Sequence, residues 1–196
     1  MNSEWIKNTV SLMLITVIAG LLLGVVHEIT KEPIKEQRKQ AKEEAYKEVF
    51  ADAASFETIS ISSSVSDEIR QKGYDADVDE AMKVIDKEGA FSGYVMTITD
   101  HEGYGGDIQF AMGVRKDGTL NGISFLTIGE TAGLGMKAKE DAFRNQFAGK
   151  NAEKFVYTKD GASAENEIDA ISGATITTNA VTNGVNAGLT YLELLQ

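Results

Sequence analysis

Two hydroxyls lie in a short, glycine-loosened turn near the C-terminus: Ser172 and Thr175 of Asp169-Ala-Ile-Ser-Gly-Ala-Thr175. Directly after it, Val181, Val185, Leu189 and Leu192 recur at steps of a helical turn and predict an amphipathic helix. The first turn of a helix carries unpaired backbone N–H groups and the positive end of the macrodipole, a combination that suits a phosphate. Gly173 and Ala174 are small enough to let a bulky phosphorylated group approach the backbone. The segment therefore reads as a phosphate-accepting turn with a threonine hydroxyl within it. It also reads as an ordinary helix start in which Ser or Thr serves only as the cap, the commoner role of such residues before a helix. Thr177 and Thr178 either donate hydroxyl hydrogen bonds to the phosphate or merely decorate the helix start.

Asp169 to Thr175 resembles the flavinylation motif D-x-x-S/T-G-A-T of FMN-binding domains, and a second segment, Gly129-Glu130-Thr131-Ala132-Gly133-Leu134-Gly135, is similar to their G-E-T-x-G-L-G loop. The x is often proline in such domains and is alanine here, which leaves the loop less rigid. With an N-terminal apolar segment as well, the chain resembles the G subunit of Rnf electron-transport complexes and, less closely, the C subunit of the Na+-translocating NADH:quinone reductases. The resemblance implies FMN joined by a phosphoester to Thr175, with Ser172, Gly173 and Ala174 shaping the turn. Asp169 would either belong to the recognition sequence or simply precede the turn, and Thr178 would belong to the phosphate surroundings. Glu130, Thr131, Leu134 and Gly135 would lie against the flavin. It also implies a separate flavin transferase as maturation partner and the other membrane and redox subunits of an ion-translocating ferredoxin:NAD+ oxidoreductase as working partners.

Composition is compatible with that chemistry and excludes others. The chain has 196 residues and no cysteine, which rules out disulfides, iron–sulfur clusters and thiolate metal sites within it. Redox work must then come from an organic cofactor that accepts and releases electrons. The two histidines, His27 and His101, are too few and too far apart in sequence to argue for haem or a metal. A net charge of −11 without a basic stripe disfavours nucleic acid. No Walker or dinucleotide glycine motif and no hydrolytic residue set is legible, so the chain alone is not read as an enzyme.

The elements that must position the site follow. Val10 to Val26 is uncharged and predicts a transmembrane helix over residues 10–27, after a short tail of residues 1–9. Pro33 is placed to begin a new helix or to kink the old one. Residues 28–54 read as a helical stalk, and residues 55–196 as one FMN-binding domain. Within it, Ser55 to Val65 suits an edge strand or linker, and Asp77 to Lys87 a short helix closed by Gly89. Phe91 to Thr99, Ile108 to Val114 and Leu120 to Ile128 predict strands, with a hairpin turn at Lys116-Asp117-Gly118. Gly103-Tyr104-Gly105-Gly106 reads as a loop whose backbone approaches a ligand, or as a flexible hairpin loop. Lys137 to Phe147 predicts a helix and Lys154 to Thr158 a last strand. The class is α+β, an antiparallel sheet with flanking helices.

Sidedness is drawn two ways. Lys31, Lys35, Arg38, Lys39 and Lys42 follow the apolar segment and only Lys7 precedes it, which by charge counting puts the domain in the cytoplasm. The resemblance implies an inner-membrane anchor with the domain on the extracytoplasmic side. Two further readings stay open: a stand-alone anchored flavoprotein, and an anchored binding or scaffold domain without cofactor.

Overall fold

The computed structural model describes residues 3–195 and divides into two compact units between Ala41 and Lys42. The first unit is helical. Helix α1 (Ser3–Val49) begins within the expected N-terminal tail and runs through Pro33 without interruption, so the proline neither opens a new helix nor ends the old one. From Ile6 to Ile34 its Leu, Ile and Val side chains are exposed around the helix, and an 18-residue apolar window has a mean hydropathy of 2.5. This is a helix long and apolar enough to cross a membrane.

The second unit is built on a five-stranded antiparallel meander, β1 (Ala53–Ile59), β2 (Ala76–Asp86), β3 (Phe91–Asp100), β4 (Ile108–Arg115) and β5 (Leu120–Thr127), in that spatial order. One face is covered by α2 (Val65–Gln71) and the C-terminal helix α4 (Thr175–Leu194), with Ile98, Ile108, Phe110, Met112, Val181 and Val185 fully buried between layers. On the other face, Ala45, Tyr46, Val49 and Phe50 pack on Val84, Val95 and Ala111. The last turns of α1, expected in the stalk, therefore belong to this second core. Lys42 Nζ and the Tyr46 hydroxyl both donate to Glu80 Oε2, at 2.7 and 2.8 Å.

Two expected helices are corrected. Residues 77–86, expected with Lys87 as a helix, lie in strand β2. Ala76, Val78 and Ala81 face α4, whereas Val84 joins the opposite core. A β-bulge between Val78 and Glu80 adds a residue, so apolar positions at 78, 81 and 84 imitate a helical turn. Residues 137–147 do not form one helix. A 3-10 turn (Gly135–Lys139) is separated from the short helix α3 (Asp141–Arg144) by Glu140, whose backbone is extended at φ −72° and ψ 146°. Phe143 and Phe147 are nevertheless buried, stacked edge-on in series with Phe155. Nor is Lys154 to Thr158 the last strand. Strand β6 (Val156–Thr158) pairs in parallel with β7 (Glu167–Asp169).

Helix α4 seats on the sheet through glycine. A Cβ at Gly184 would stand 2.9 Å from the Phe110 ring, and one at Gly188 would stand 2.6 Å from Ile98 Cδ1 and 2.7 Å from Met112 Sδ. One turn apart on the same helix face, the two glycines let backbone lie against side chains. Buried Asn186 accepts from Phe155 N–H at 2.8 Å and donates to its carbonyl at 2.9 Å, tying the approach to β6 to this helix.

Candidate cofactor site

The last helix begins at Thr175 without a hydroxyl cap. The residue in the capping position is Ala174, at φ −136° and ψ 50°, and no side chain caps this end. The alternative of an ordinary Ser- or Thr-capped start is therefore not what the chain adopts. A 20-residue helix whose first N–H groups lack a side-chain acceptor presents them, with the dipole, to whatever lies before it. Gly173 makes the turn at φ +78°, a conformation that favours glycine, and a Cβ there would stand 3.1 Å from Leu134 Cδ2.

Before the helix start lies a cavity of about 580 Å³. Gly173, Ala174, Thr175, Ile176 and Thr177 form one wall, and Glu130, Thr131, Leu134 and Gly135 another. Tyr104 completes the lining. The volume lies in the range of small-molecule and cofactor sites. Thr175 is half-buried, while Leu134 and Ile176 are apolar yet 44% and 52% exposed. The cavity thus joins an anion-favouring helix end to an apolar wall, which suits a planar apolar group carrying a phosphate.

Glu130 organises the rim. It is buried, and its two carboxylate oxygens accept from different elements: Oε2 from the Thr177 hydroxyl at 2.8 Å, and Oε1 from the Gly105 N–H at 3.1 Å. Gly135 packs directly on this pair. The loop between turns at Gly133, φ +77°, and is closed by the N–H groups of Leu134 and Met136 on the Thr131 carbonyl.

Some expected site residues lie elsewhere. Thr178 is fully buried and its hydroxyl is committed, accepting from Ile171 N–H and donating to the Ala174 carbonyl, both at 3.0 Å. It braces the turn and does not line the cavity. Asp169 ends β7, where its carboxylate accepts from Ala162 N–H and its main-chain N–H donates to Gln146 Oε1. Ser172 is exposed outside the lining. Tyr104, Ile176 and Thr177 enter the site beyond the motif residues. An aromatic between glycines is the available signal for Tyr104, and sequence marks Thr177 only as a hydroxyl near the phosphate.

The loop between β3 and β4 that carries Tyr104 is fixed at its base. His101 bridges Asp107, at 2.9 Å, and Asp77, at 3.1 Å, and the Asp107 hydrogen bond followed by that of Asp77 raises the imidazole pKa above its ordinary value. Asp100 is fully buried, accepting from Glu102 N–H at 2.9 Å through one oxygen while the other has no partner among the described residues. Burial pushes its pKa up to about 7.

Residues 103–190 match the FMN-binding domain model, and residues 1–49 match the RnfG N-terminal region. The chain is thus similar to FMN-binding domains over its second half and to RnfG proteins over its N-terminal region. It is 38% identical over 109 residues to the G subunit of the Na+-translocating ferredoxin:NAD+ oxidoreductase complex of Acetobacterium woodii, covering 55% of this chain and 52% of that one. It is 43% identical over 86 residues to the G subunit of the proton-translocating ferredoxin:NAD+ oxidoreductase complex of Clostridium ljungdahlii, covering 44% and 46%. The chain spans about half the length of these curated relatives. The crystal structure of the C subunit of the Na+-translocating NADH-quinone reductase from Parabacteroides distasonis shares the fold, with a TM-score of 0.55 at 21% identity over 83% of this chain and 96% of that one. The match to the FMN-binding domain takes in all ten residues of the cavity lining, from Tyr104 to Thr177. The region similar to FMN-binding domains thus offers an anion-favouring helix start and an apolar wall within one cavity.

Proposed function

We propose that this chain is the covalent-FMN electron carrier of a membrane-bound, ion-translocating ferredoxin:NAD+ oxidoreductase, one subunit among several. The observation that carries the reading is Thr175 at the uncapped start of α4, half-buried on the cavity wall. Its Oγ would bear the FMN phosphate, and the first-turn N–H groups would face the phosphate oxygens. Leu134 and Ile176 would hold the isoalloxazine, and the Glu130–Thr177 pair would keep the two walls in register. The bound flavin supplies one- and two-electron chemistry; the chain's residues position it and exclude water. The oxidoreductase activity belongs to the complex. A phosphoester prevents loss of the cofactor where it could not be replaced.

The test is intact mass and in-gel fluorescence after denaturation, for chain expressed with and without a flavin transferase that uses FAD as donor. The FMN mass increment and fluorescence are expected only with the transferase. A chain that stays unmodified beside an active transferase would overturn the covalent reading and favour a scaffold role.

The reading places α1 in the inner membrane and the domain on its extracytoplasmic side, against the lysine count that follows the apolar segment. Ser163 lies exposed in the loop between β6 and β7, and the chain has no cysteine, so Ser163→Cys reports sidedness. Labelling by a membrane-impermeant thiol reagent is expected in intact cells, or in spheroplasts where an outer membrane intervenes. Labelling only after the inner membrane is broken would put the domain in the cytoplasm and remove the stated reason for a covalent bond.

A further inference from the structure

Past its apolar segment, helix α1 keeps its charges sorted by sign. Lys31, Lys35, Arg38 and Lys42 recur at steps of four, three and four, which aligns them along one side of the helix. Glu28, Glu32 and Glu36 recur at steps of four along an adjoining side. Neighbours four apart are therefore alike in sign, Lys31 with Lys35, Glu28 with Glu32 and Glu32 with Glu36. A helix that had only to hold its shape in water would gain from opposite charges at that spacing, and it loses from like ones. Opposite charges do stand three apart, as Glu32 and Lys35 do. Even so, none of Lys31, Lys35 and Arg38 closes an ion pair among the described residues. Lys42 is paired with Glu80 at 2.7 Å, whereas Lys31, Lys35 and Arg38 are exposed.

Position along the helix selects the anion these three cations can meet. Counting from Val26, Lys31 lies about 7 Å along the axis, Lys35 about 13 Å and Arg38 about 18 Å. The headgroup layer is roughly 5–7 Å deep on each side of the hydrocarbon. Each Cα–Cβ bond tilts toward the helix N-terminus, here toward the apolar segment, and long basic side chains stretch that way to bring their charge to the interface. Lys31 thus reaches the phosphates readily and Lys35 at full stretch, while Arg38 acts through the surface potential.

We propose that the Lys31, Lys35 and Arg38 side of α1 binds the phosphate headgroups of anionic phospholipids at the membrane surface. This role rests on α1 being the membrane anchor of the reading above. It gives the cations after the apolar segment a purpose other than fixing orientation, whichever side the domain occupies.

The test titrates the full chain, in a neutral detergent, with phosphatidylglycerol or phosphatidylcholine and counts the lipid retained by native mass. Phosphatidylglycerol is expected to be held roughly ten-fold more strongly at low salt, with the preference shrinking as salt rises. Lys31→Gln should weaken its retention about five-fold, Lys35→Gln less and Arg38→Gln least. The combined variant of all three should lose the preference. A charge-matched variant, Lys83→Gln, Lys87→Gln and Lys116→Gln, removes exposed lysines of the second unit and should keep it. Equal retention of the two lipids by the wild type, or a preference that survives the combined variant, would overturn the headgroup site. So would a preference lost equally in the charge-matched variant. Flotation of the reconstituted chain with vesicles of each composition checks the anchor separately. A chain that stays out of both vesicles would overturn the membrane reading as well, whereas one that floats with both and prefers neither lipid would overturn the headgroup site alone.

Discussion

Thr175→Ala is expected to abolish the covalent flavin completely while leaving the domain folded. The substitution deletes the acceptor hydroxyl and little else. Thr175 is half-buried, its hydroxyl makes no hydrogen bond among the described residues, and the residue that caps the helix is Ala174. Alanine is also a good helix former, so the change in stability should stay within about 0.5 kcal/mol. Intact mass after co-expression with the flavin transferase reads the first part, and a thermal melt reads the second. The neighbouring threonines provide the contrast. Thr177→Ala leaves a buried Glu130 oxygen short of its donor, and Thr178→Ala removes two hydrogen bonds from the turn. Each should cost about 1–3 kcal/mol of stability, yet both variants should carry the full mass increment. Retention of that increment by Thr175→Ala, or its loss only in the Thr177 variant, would move the attachment point.

The second large effect is expected at Gly135. A Cβ there would lie 2.5 Å from Thr177 Oγ1, 2.6 Å from Glu130 Oε2 and 2.7 Å from Glu130 Cβ. Gly135→Val must therefore wedge the loop away from the last helix, with an overpacking cost of about 1–3 kcal/mol. Both cavity walls move, so flavin incorporation should fall steeply, and the fraction that is modified should show shifted absorbance and reduction potential. Gly133→Val should act by another route. Nothing lies within 4 Å of its added Cβ, but φ +77° is strained for a β-branched residue. Ala132→Pro, in contrast, introduces the residue common in similar loops at an exposed position and should change little. Unchanged absorbance and potential in both valine variants would refute a cofactor role for this loop.

Strands β3, β4 and β5 are legible in the sequence because each is a run of apolar or β-branched residues bounded by glycine or Asp-Gly, and the structure ends them within a residue or two of the expected limits. Strand β2 is not, because one bulge and a change of core face turn a two-residue alternation into steps of three. Strand β7 is only Glu167-Ile168-Asp169, too short to show a period, and it exists through pairing with β6. The break at Glu140 depends on backbone geometry that helix propensity does not encode. At the site, the two motifs lie roughly forty residues apart in sequence and fold onto one cavity, with Glu130 and Thr177 as the join. Residue type alone does not distinguish Thr178 and Asp169 from their neighbours. Only the helix phase and the strand pairing turn their side chains to structural work. Tyr104 and Ile176 belong to the cavity through space, a property that no local spacing carries.

On the proposed reading, Gly184 and Gly188 would bear on electron transfer as well as on packing. Tunnelling probability falls exponentially with the gap between donor and acceptor, so a carrier that rocks on its support samples a wide spread of rates. At these two positions helix α4 lies with its backbone against Phe110, Ile98 and Met112. A flavin borne on Thr175, as proposed, would take its position from the sheet through this seating. A bulkier residue at either glycine would lift the helix and lengthen every path to a redox partner, slowing turnover without touching the cofactor itself.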